Sequence, residues 1–122
     1  MDLKKMKCQA CEGGKVKVLS PDEARALVVQ VPKWKLRKDE PRLWREFTFK
    51  DFVRAMKFVN KVAEIAEAEG HHPDFHIHYD KVKLVLWTHA LGGLSQNDFI
   101  VAAKINGLSE SDFILAAKID AA

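Results

Sequence analysis

The sequence has no long hydrophobic run and little excess charge of either sign. Its longest stretch without a charged residue, Leu84 to Asn97, is shorter than the ~20 apolar residues of a membrane-spanning helix. The 20 Lys and Arg residues against 17 Asp and Glu residues leave a net charge of +3 with the signs interspersed, so no basic stripe indicates nucleic-acid binding. The charged N-terminus is not followed by an apolar secretion signal. We therefore expect a cytoplasmic protein without direct nucleic-acid or membrane contacts.

Glycine and proline are also scarce, with 6 and 4 residues, and 48% hydrophobic residues are balanced by 30% charged residues. These proportions are typical of a globular chain and argue against disordered and collagen-like proteins. A length of 122 residues supplies one hydrophobic core. We divide the chain into an N-terminal tail at residues 1–19, a domain at residues 20–106 and a C-terminal segment at residues 107–122.

Cysteine occurs only twice, as Cys8 and Cys11 in one Cys-x-x-Cys step. A closed structural zinc site needs four ligands, so a second subunit or a nearby histidine would have to complete it. A redox pair would lie at a helix N-terminus within a strand–helix–strand unit, which the following residues do not indicate. The third interpretation, which we favour, is a remnant without a role in a mobile tail.

Three helix starts carry the capping-box signal, in which a Ser or Thr and an acidic residue three positions later satisfy each other's backbone N–H groups. The pairs are Ser20 with Glu23, Thr48 with Asp51, and Ser95 with Asp98. At the second start, Phe47 and Phe52 predict a hydrophobic staple. The long helix that follows is predicted to end at Gly70. Its predicted apolar stripe consists of Phe52, Met56, Val59, Val62, Ala63 and Ala66.

Short segments of alternating polarity lie between the helices and predict strands. They are Trp34 to Leu36, Leu43 to Phe47, Phe75 to Tyr79, and Val82 to Trp87. The resulting order is αββαββα, in which short turns make neighbouring strands antiparallel and each long helix buries one apolar face on the sheet. We therefore predict an α+β fold, a two-layer sandwich of a four-stranded antiparallel sheet with helices packed on one face.

The sequence of the last predicted helix is repeated, because the segment Gly93 to Asn106 is followed at once by a similar segment, Gly107 to Asp120. Each copy carries its own cap, and the Asn106-Gly107 step predicts a stop between them. We expect two helices. Two copies are fewer than a solenoid needs, so the repeat indicates a local duplication.

All five histidines fall between residues 71 and 89, namely His71, His72, His76, His78 and His89. Histidine donates or accepts a proton near neutral pH, so two or three around one cavity could act as acid and base. Simpler interpretations also apply. The pair before Pro73 is typical of a helix C-terminus, where a cationic ring is favoured. The His76-x-His78 spacing suits a metal site but is more typical of a solvent-facing strand edge.

The spacing of the polar residues favours the catalytic interpretation. Glu67, three residues, His71-His72-Pro73, five residues, Tyr79, nine residues, His89, eight residues and Asp98 follow one another in that order. In this pattern the sequence resembles the pterin-4a-carbinolamine dehydratases, and the resemblance extends from the region of Trp34 to Lys104. It implies a four-stranded antiparallel sheet with helices on one face, in agreement with the fold predicted above.

The resemblance implies dehydration of 4a-hydroxytetrahydrobiopterin to the quinonoid dihydropterin, a step that recycles tetrahydrobiopterin, without a cofactor or metal. The leaving hydroxyl must be protonated while a ring nitrogen loses a proton, and positioned histidines suffice for both transfers. The resemblance implies His71, His72 and His89 as the catalytic histidines, with His71 and His89 as the acid and base. His72 and Pro73 would hold the pterin, and Thr88 would line the site. Two acidic residues, Glu67 and Asp98, would orient or charge-tune it.

The second copy of the helix lies beyond the pattern of the resemblance. Because Asp98 has the required spacing from His89, we expect the first copy to complete the site and Asp112 to have no functional role. Bacterial members of the family often begin with a Cys-x-x-Cys-x-Gly-Gly segment such as Cys8 to Gly14, whose role stays open.

Three alternatives stay open. Members of this family can act as oligomerisation partners of transcription factors, so the chain could be a coactivator-type binding module. A metal site of His71, His72, His89 and Glu67 would be chemically adequate. A dehydratase could act on another pterin, such as a molybdopterin precursor. The resemblance also implies a homodimer or homotetramer.

Overall fold

The computed structural model describes residues 2–9, 16–37 and 39–109. Within these ranges, three helices and four strands follow in the predicted order αββαββα. The elements are α1 (Pro21–Val28), β1 (Lys35–Leu36), β2 (Leu43–Thr48), α2 (Phe52–Glu69), β3 (Asp74–His78), β4 (Lys81–Leu86) and α3 (Gln96–Ser109). No helix in the described part of the chain is long and apolar enough to cross a membrane.

The four strands form one antiparallel sheet in the order β1-β2-β4-β3. Its central pair, β2 and β4, brings Leu43 opposite Leu86 and Phe47 opposite Val82. These four side chains are buried beneath the helices, whereas alternate residues such as Glu46 point to the other face. The predicted two-layer α+β sandwich, with helices on one face of a four-stranded sheet, is confirmed.

The start of α2 differs from the prediction. Asp51, not Thr48, is the N-cap, and its carboxylate accepts a hydrogen bond from the backbone N–H of Arg54 at 2.8 Å. Thr48 is still part of β2, where it pairs with Lys81, so its extended backbone belongs to the sheet. The predicted staple is also wrong, since Phe52 is 46% exposed.

The buried face of α2 also differs from the predicted apolar stripe. The buried residues of the helix are Ala55, Phe58, Val62 and Ala66, so only the last two of these belong to the predicted stripe. Ala63 is exposed. At the other end the prediction is confirmed, because Gly70 caps the helix in the left-handed conformation, with φ of 65°.

The other two helix starts follow the sequence more closely. At α1 the capping box of Ser20 and Glu23 is complete, and the helix ends at Val28. At α3 the Asp98 carboxylate accepts from the backbone N–H of Ser95 at 2.9 Å, which is half of the predicted box. The Ser95 hydroxyl instead bonds to another side chain of the site.

The predicted stop at Asn106-Gly107 is wrong, because α3 continues through it to Ser109. A glycine inside a helix costs only about 1 kcal/mol, and the Asn106 side chain accepts hydrogen bonds from Trp34 and Arg45 that hold this turn in place. The remainder of the second copy, residues 110–122, lies outside the described residues.

Residues 2–9 of the N-terminal tail pack against α3. Leu3, in a short 3₁₀ turn, is buried in the core, and the Lys4 backbone carbonyl accepts a hydrogen bond from Lys104 at 3.1 Å. The expectation of a mobile tail is therefore wrong for this segment, because Leu3 is buried in the hydrophobic core and its turn packs against α3.

Candidate active site

The end of α2 places two neighbouring histidines in a tight turn. Gly70 reverses the chain, and the backbone N–H of His71 bonds to the carbonyl of Ala66 at 3.2 Å. The helix is thus capped by backbone groups, and the two imidazoles do not serve as caps. Each ring is instead paired with a carboxylate: His71 with Asp98 and His72 with Glu67.

His71 is the buried member of the pair, with 8% exposure. Its Nε2 lies 2.6 Å from Oδ1 of Asp98, a fully buried residue in the first turn of α3. A carboxylate only accepts hydrogen bonds, so Nε2 carries a proton and Nδ1 is the basic nitrogen of the neutral ring. The bond therefore fixes both the orientation and the tautomer of His71.

Asp98 is held by a second set of donors on its other oxygen. Oδ2 accepts from the hydroxyl of Thr88 at 2.9 Å and from the backbone N–H of Ser95 at 2.9 Å. Because the Thr88 hydroxyl donates to Asp98, it accepts from the Ser95 hydroxyl at 2.7 Å. These donors satisfy the buried charge, as a buried carboxylate requires.

His72 points outward and pairs with Glu67 through Nε2 and Oε2 at 2.5 Å. Both side chains are exposed, so the pair contributes little to stability. The carboxylate of Glu67 lies in the last turn of α2, where a negative charge opposes the helix dipole. The His72 ring is thus the local partner that offsets this unfavourable position.

His89 begins a 3₁₀ turn that follows β4, and backbone pairing fixes the base of this turn. The Thr88 N–H bonds to the Gly93 carbonyl at 2.7 Å, and Gly92 adopts a left-handed conformation. The imidazole of His89 stacks on the indole of Trp87, with 3.8 Å between ring centroids, and its Nε2 lies 4.0 Å from Asp74.

A cavity of ≈ 370 Å³ joins these groups. It is lined by Gly70, His71, His72, Pro73, Asp74, Trp87, Thr88, His89 and Ala90. The structure therefore brings together all three predicted catalytic histidines with Pro73 and Thr88. Asp98 and Glu67 do not line the cavity, but each is paired with one of the histidine rings, His71 and His72 respectively. A larger cavity of ≈ 680 Å³ near the start of α1 has no histidine among its lining residues.

Sequence reasoning missed Asp74 and Trp87. Strand alternation places Trp87 on the face opposite the buried Leu86, but a tryptophan in a strand is usually a packing residue. The strand register supplies the missing signal, because Asp74 pairs with Val85 and so lies diagonally opposite Trp87 on the same face. The indole Nε1–H donates to Asp74 at 3.1 Å.

His76 and His78 lie apart from the cavity. Both are exposed on β3, one of the two edge strands of the sheet, as the solvent-facing interpretation predicts. Tyr79, which belongs to the sequence pattern, is in the two-residue turn between β3 and β4 and is exposed. Its φ of 53° satisfies the hairpin geometry.

No group of three or more His, Cys, Asp or Glu side chains among the described residues is arranged to hold a metal ion. The three site histidines face three different carboxylates. Cys11 lies outside the described residues, and Cys8 is half-buried. Burial, reinforced by the negative charge of Glu69, raises the pKa of the Cys8 thiol to about 12.

Residues 8 and 9 form hydrogen bonds with residues that neighbour the site. The Cys8 N–H donates to Glu69 at 2.9 Å, two residues before His71. Gln9 and Asn97 exchange two hydrogen bonds, of 3.0 and 2.8 Å, next to Asp98. Burial raises the pKa of Glu69, but the Cys8 N–H and the Lys104 charge keep it below its ordinary value overall. Residues 8 and 9 therefore tie together the two helix ends that carry the His71–Asp98 pair.

The arrangement can move protons without a covalent nucleophile. A buried, oriented imidazole and a partly exposed one line the same small cavity, each on a turn closed by backbone hydrogen bonds. Such a pair can donate a proton to one atom of a bound ring compound and remove a proton from another.

Comparison with family models matches residues 17–108 to the family described as pterin 4 alpha carbinolamine dehydratase. A relative in Halorhodospira halophila, named provisionally as the same dehydratase, is 43% identical over 106 residues, covering 87% of this chain and 96% of the relative. The mitochondrial pterin-4-alpha-carbinolamine dehydratase 2 of Arabidopsis thaliana is 43% identical over 108 residues, covering 86% of this chain and 58% of that protein.

Two solved structures share the fold. The transcriptional coactivator/pterin dehydratase of Brucella melitensis superposes with a TM-score of 0.72 at 29% identity, covering 75% of this chain and 98% of that one. A pterin dehydratase-like RuBisCO assembly factor of the alpha-carboxysome superposes with a TM-score of 0.55 at 23% identity, covering 66% and 93%. The second likeness concerns the fold alone.

Proposed function

Because the chain belongs to the pterin-4-alpha-carbinolamine dehydratase family, we propose that it is a hydro-lyase that dehydrates 4a-hydroxytetrahydrobiopterin to the quinonoid dihydropterin and water. The single observation that carries this proposal is the buried His71–Asp98 pair at the wall of a cavity shared with His72 and His89. The proposed physiological role is the recycling of tetrahydrobiopterin in the cytoplasm.

The reaction needs two proton transfers and no electron transfer. The C4a–O bond of the substrate breaks, and the departing oxygen takes a proton so that it leaves as water. The adjacent ring nitrogen loses its proton as its electrons form the new C=N double bond. One proton is thus gained and one lost, and the acid and base return to their starting states after one exchange with solvent.

His71 and His89 are the proposed acid and base. His71 is suited to this role because Asp98 holds its Nε2–H and stabilises the imidazolium that forms when the ring accepts a proton. His89 lines the same cavity and is 58% exposed, so it can exchange its proton with solvent between turnovers. Each positioned proton transfer typically contributes 10²–10⁴-fold to the rate.

His72, Pro73 and Thr88 are the proposed substrate contacts. The buried Pro73 gives the cavity a rigid wall for a flat heterocycle, and Thr88 joins that wall to Asp98. His72, fixed by Glu67 at the rim, would hold a polar edge of the pterin.

We also propose a homodimer or homotetramer, which light scattering of the purified protein would measure.

The test is the rate of 4a-hydroxytetrahydrobiopterin dehydration by metal-stripped wild-type protein beside His71→Ala and His89→Ala. We expect wild-type activity to resist chelation and each variant to lose about 10²-fold or more in kcat. His76→Ala, which removes an exposed histidine from the edge strand, is the matched control and should retain full activity. Activity that returns only with added metal would contradict the proposal.

A second candidate is a coactivator-type binding module, which the similarity to the transcriptional coactivator/pterin dehydratase of Brucella melitensis favours. Partner binding would survive His71→Ala, whereas catalysis would not. A folded wild type without activity on 4a-hydroxytetrahydrobiopterin would favour this role or a different pterin, such as a molybdopterin precursor, and assays with that precursor would separate the two.

A further inference from the structure

Trp87 lies in the middle of a three-layer stack at the edge of the cavity. On one face of its indole is the imidazole of His89, at 3.8 Å between centroids and an interplanar angle of 27°. On the other face is the guanidinium of Arg42, whose Cζ is 3.6 Å from the ring centroid. Both faces of the indole are therefore covered by protein, and neither is available to stack on a substrate ring.

The edge of the indole is held as well as its faces. Its Nε1–H donates to Oδ2 of Asp74 at 3.1 Å, and Oδ1 of the same carboxylate lies 4.0 Å from Nε2 of His89. Asp74 is in β3 and pairs with Val85 of β4, so the sheet itself sets the position of this carboxylate. Asp74 thus holds the indole of Trp87 by a hydrogen bond and also faces the imidazole of His89.

The side chain of Arg42 is held by an ion pair as well as by its contact with Trp87. Arg42 precedes β2, its side chain is 15% exposed, and it forms an ion pair with Glu40 at 3.3 Å. A guanidinium over an indole is an attractive cation–π arrangement, and its planar shape fits the flat ring. Arg42 therefore packs on the indole of Trp87 without itself lining the cavity.

His89 needs such support more than His71 does. His71 is buried and bonded to Asp98, whereas His89 is 58% exposed on a short 3₁₀ turn, and its nearest carboxylate is beyond hydrogen-bond distance. An exposed side chain without a fixed partner populates several rotamers. Proton transfer requires the ring nitrogen within about 2.6–3.2 Å of the reacting atom. An imidazole that samples several orientations is therefore a poor acid or base.

We propose that Trp87 and Arg42 are positioning residues that hold the His89 imidazole in its reactive orientation by stacking. The proposal rests on the proposed function for its kinetic part, whereas the stacking itself exists in the free protein. Trp87 lines the cavity, but with its faces covered by His89 and Arg42 it acts through His89. Arg42 acts through Trp87.

The kinetic experiment compares Trp87→Leu, Trp87→Phe and Arg42→Met with wild type. We expect Trp87→Leu to lower kcat on the order of tenfold with KM changed less than about twofold, because the misplaced acid or base affects the chemical step. Trp87→Phe retains a stacking ring and should recover kcat to within about threefold of wild type. Arg42→Met should lie between Trp87→Leu and wild type.

Matched controls come from a second tryptophan on the same face of the sheet. Trp44 carries Lys35 and Lys83 near its ring, at 5.3 and 4.9 Å, but does not line the cavity. Trp44→Leu and Lys83→Met remove an indole and a nearby cation from this second site. Both should leave kcat and KM unchanged.

A structural readout separates this proposal from the proposed function. In protein with isotope-labelled histidine, the ring protons of His89 should be shifted upfield in the NMR spectrum, because they lie over the indole face. His89→Gln assigns them. We expect Trp87→Leu to abolish the upfield shift, Trp87→Phe to retain part of it and Trp44→Leu to leave it intact, whether or not any pterin is turned over.

Unshielded His89 protons in wild type, or an upfield shift that persists in Trp87→Leu, would overturn the stacking. A lost shift with unchanged kcat would overturn the positioning role. A folded wild type with a shielded His89 and no dehydratase activity would count against the proposed function, while the stacking would stand.

Discussion

Nε2 of His71 lies 2.6 Å from Oδ1 of Asp98, and this bond joins the turn after α2 to the first turn of α3. The two residues are 27 positions apart in the chain. Both are buried, so the bond is shielded from water and stronger than an exposed pair would be. It is also the link through which Thr88 and Ser95 act on the histidine.

The first prediction concerns the two copies of the last helix. Asp98→Asn keeps the shape of the side chain but removes its charge, and we expect kcat to fall about 10²-fold because His71 loses the carboxylate that orients its tautomer. Asp112→Asn should leave kcat unchanged. The two variants are compared at equal folded concentration, and a comparable loss in both would show that the second copy also serves the site.

The second prediction separates His72 from His71. His72→Ala should raise KM about tenfold with kcat within about threefold of wild type, because an exposed ring paired with Glu67 holds substrate and does not transfer its proton. Steady-state kinetics over a range of pterin concentrations measure both constants. A collapse of kcat to the level of His71→Ala would assign His72 to proton transfer instead.

The third prediction uses the pKa of Cys8. A value of about 12 leaves about a thousandfold less thiolate than an ordinary cysteine at pH 8, and only the thiolate reacts. In a Cys11→Ser variant we therefore expect Ellman's reagent to label Cys8 on the order of a thousandfold more slowly in the native protein than in urea. Equal rates in the two conditions would refute the protected position of this thiol.

The same shift predicts the sign of a pH effect on stability. The folded protein holds the Cys8 proton more tightly than the unfolded chain does, so this contribution is present below the unfolded pKa near 9. It is lost as the pH rises from there toward 12. Urea unfolding at pH 8 and pH 10.5, with Cys8→Ser as the control that lacks the titrating group, checks this: the variant should lose less stability than Cys11→Ser over that interval.

The fourth prediction concerns Asn106. Its Oδ1 accepts from the Trp34 indole N–H at 2.7 Å and from the Arg45 guanidinium at 2.6 Å, and both donors are buried. Asn106→Ala should lower the free energy of unfolding by about 2 kcal/mol, because these buried donors lose an acceptor. Asn60→Ala, on the exposed face of α2, is the matched control and should change it by less than about 0.5 kcal/mol. Equal effects in urea denaturation would contradict the role of Asn106.

The main errors of sequence reasoning arose where local signals competed with the sheet. Thr48 and Asp51 carry a good capping-box pattern, yet the pairing of Thr48 with Lys81 extends β2 and moves the cap to Asp51. Which face of α2 is buried depends likewise on its packing against β4 and α3. A local pattern cannot reveal that a strand continues, since the partner strand lies more than thirty residues away in the chain.

Local sequence signals were enough to predict the order of helices and strands, the alternation that buries Val82, Leu84 and Leu86, and the histidines of the candidate site, because these follow from periodicity, capping chemistry and motif spacing. Tertiary structure alone decided which carboxylate each histidine faces and that Trp87 stacks on His89 between Asp74 and Arg42. Those contacts depend on strand register and helix packing, which join residues that are distant in the chain.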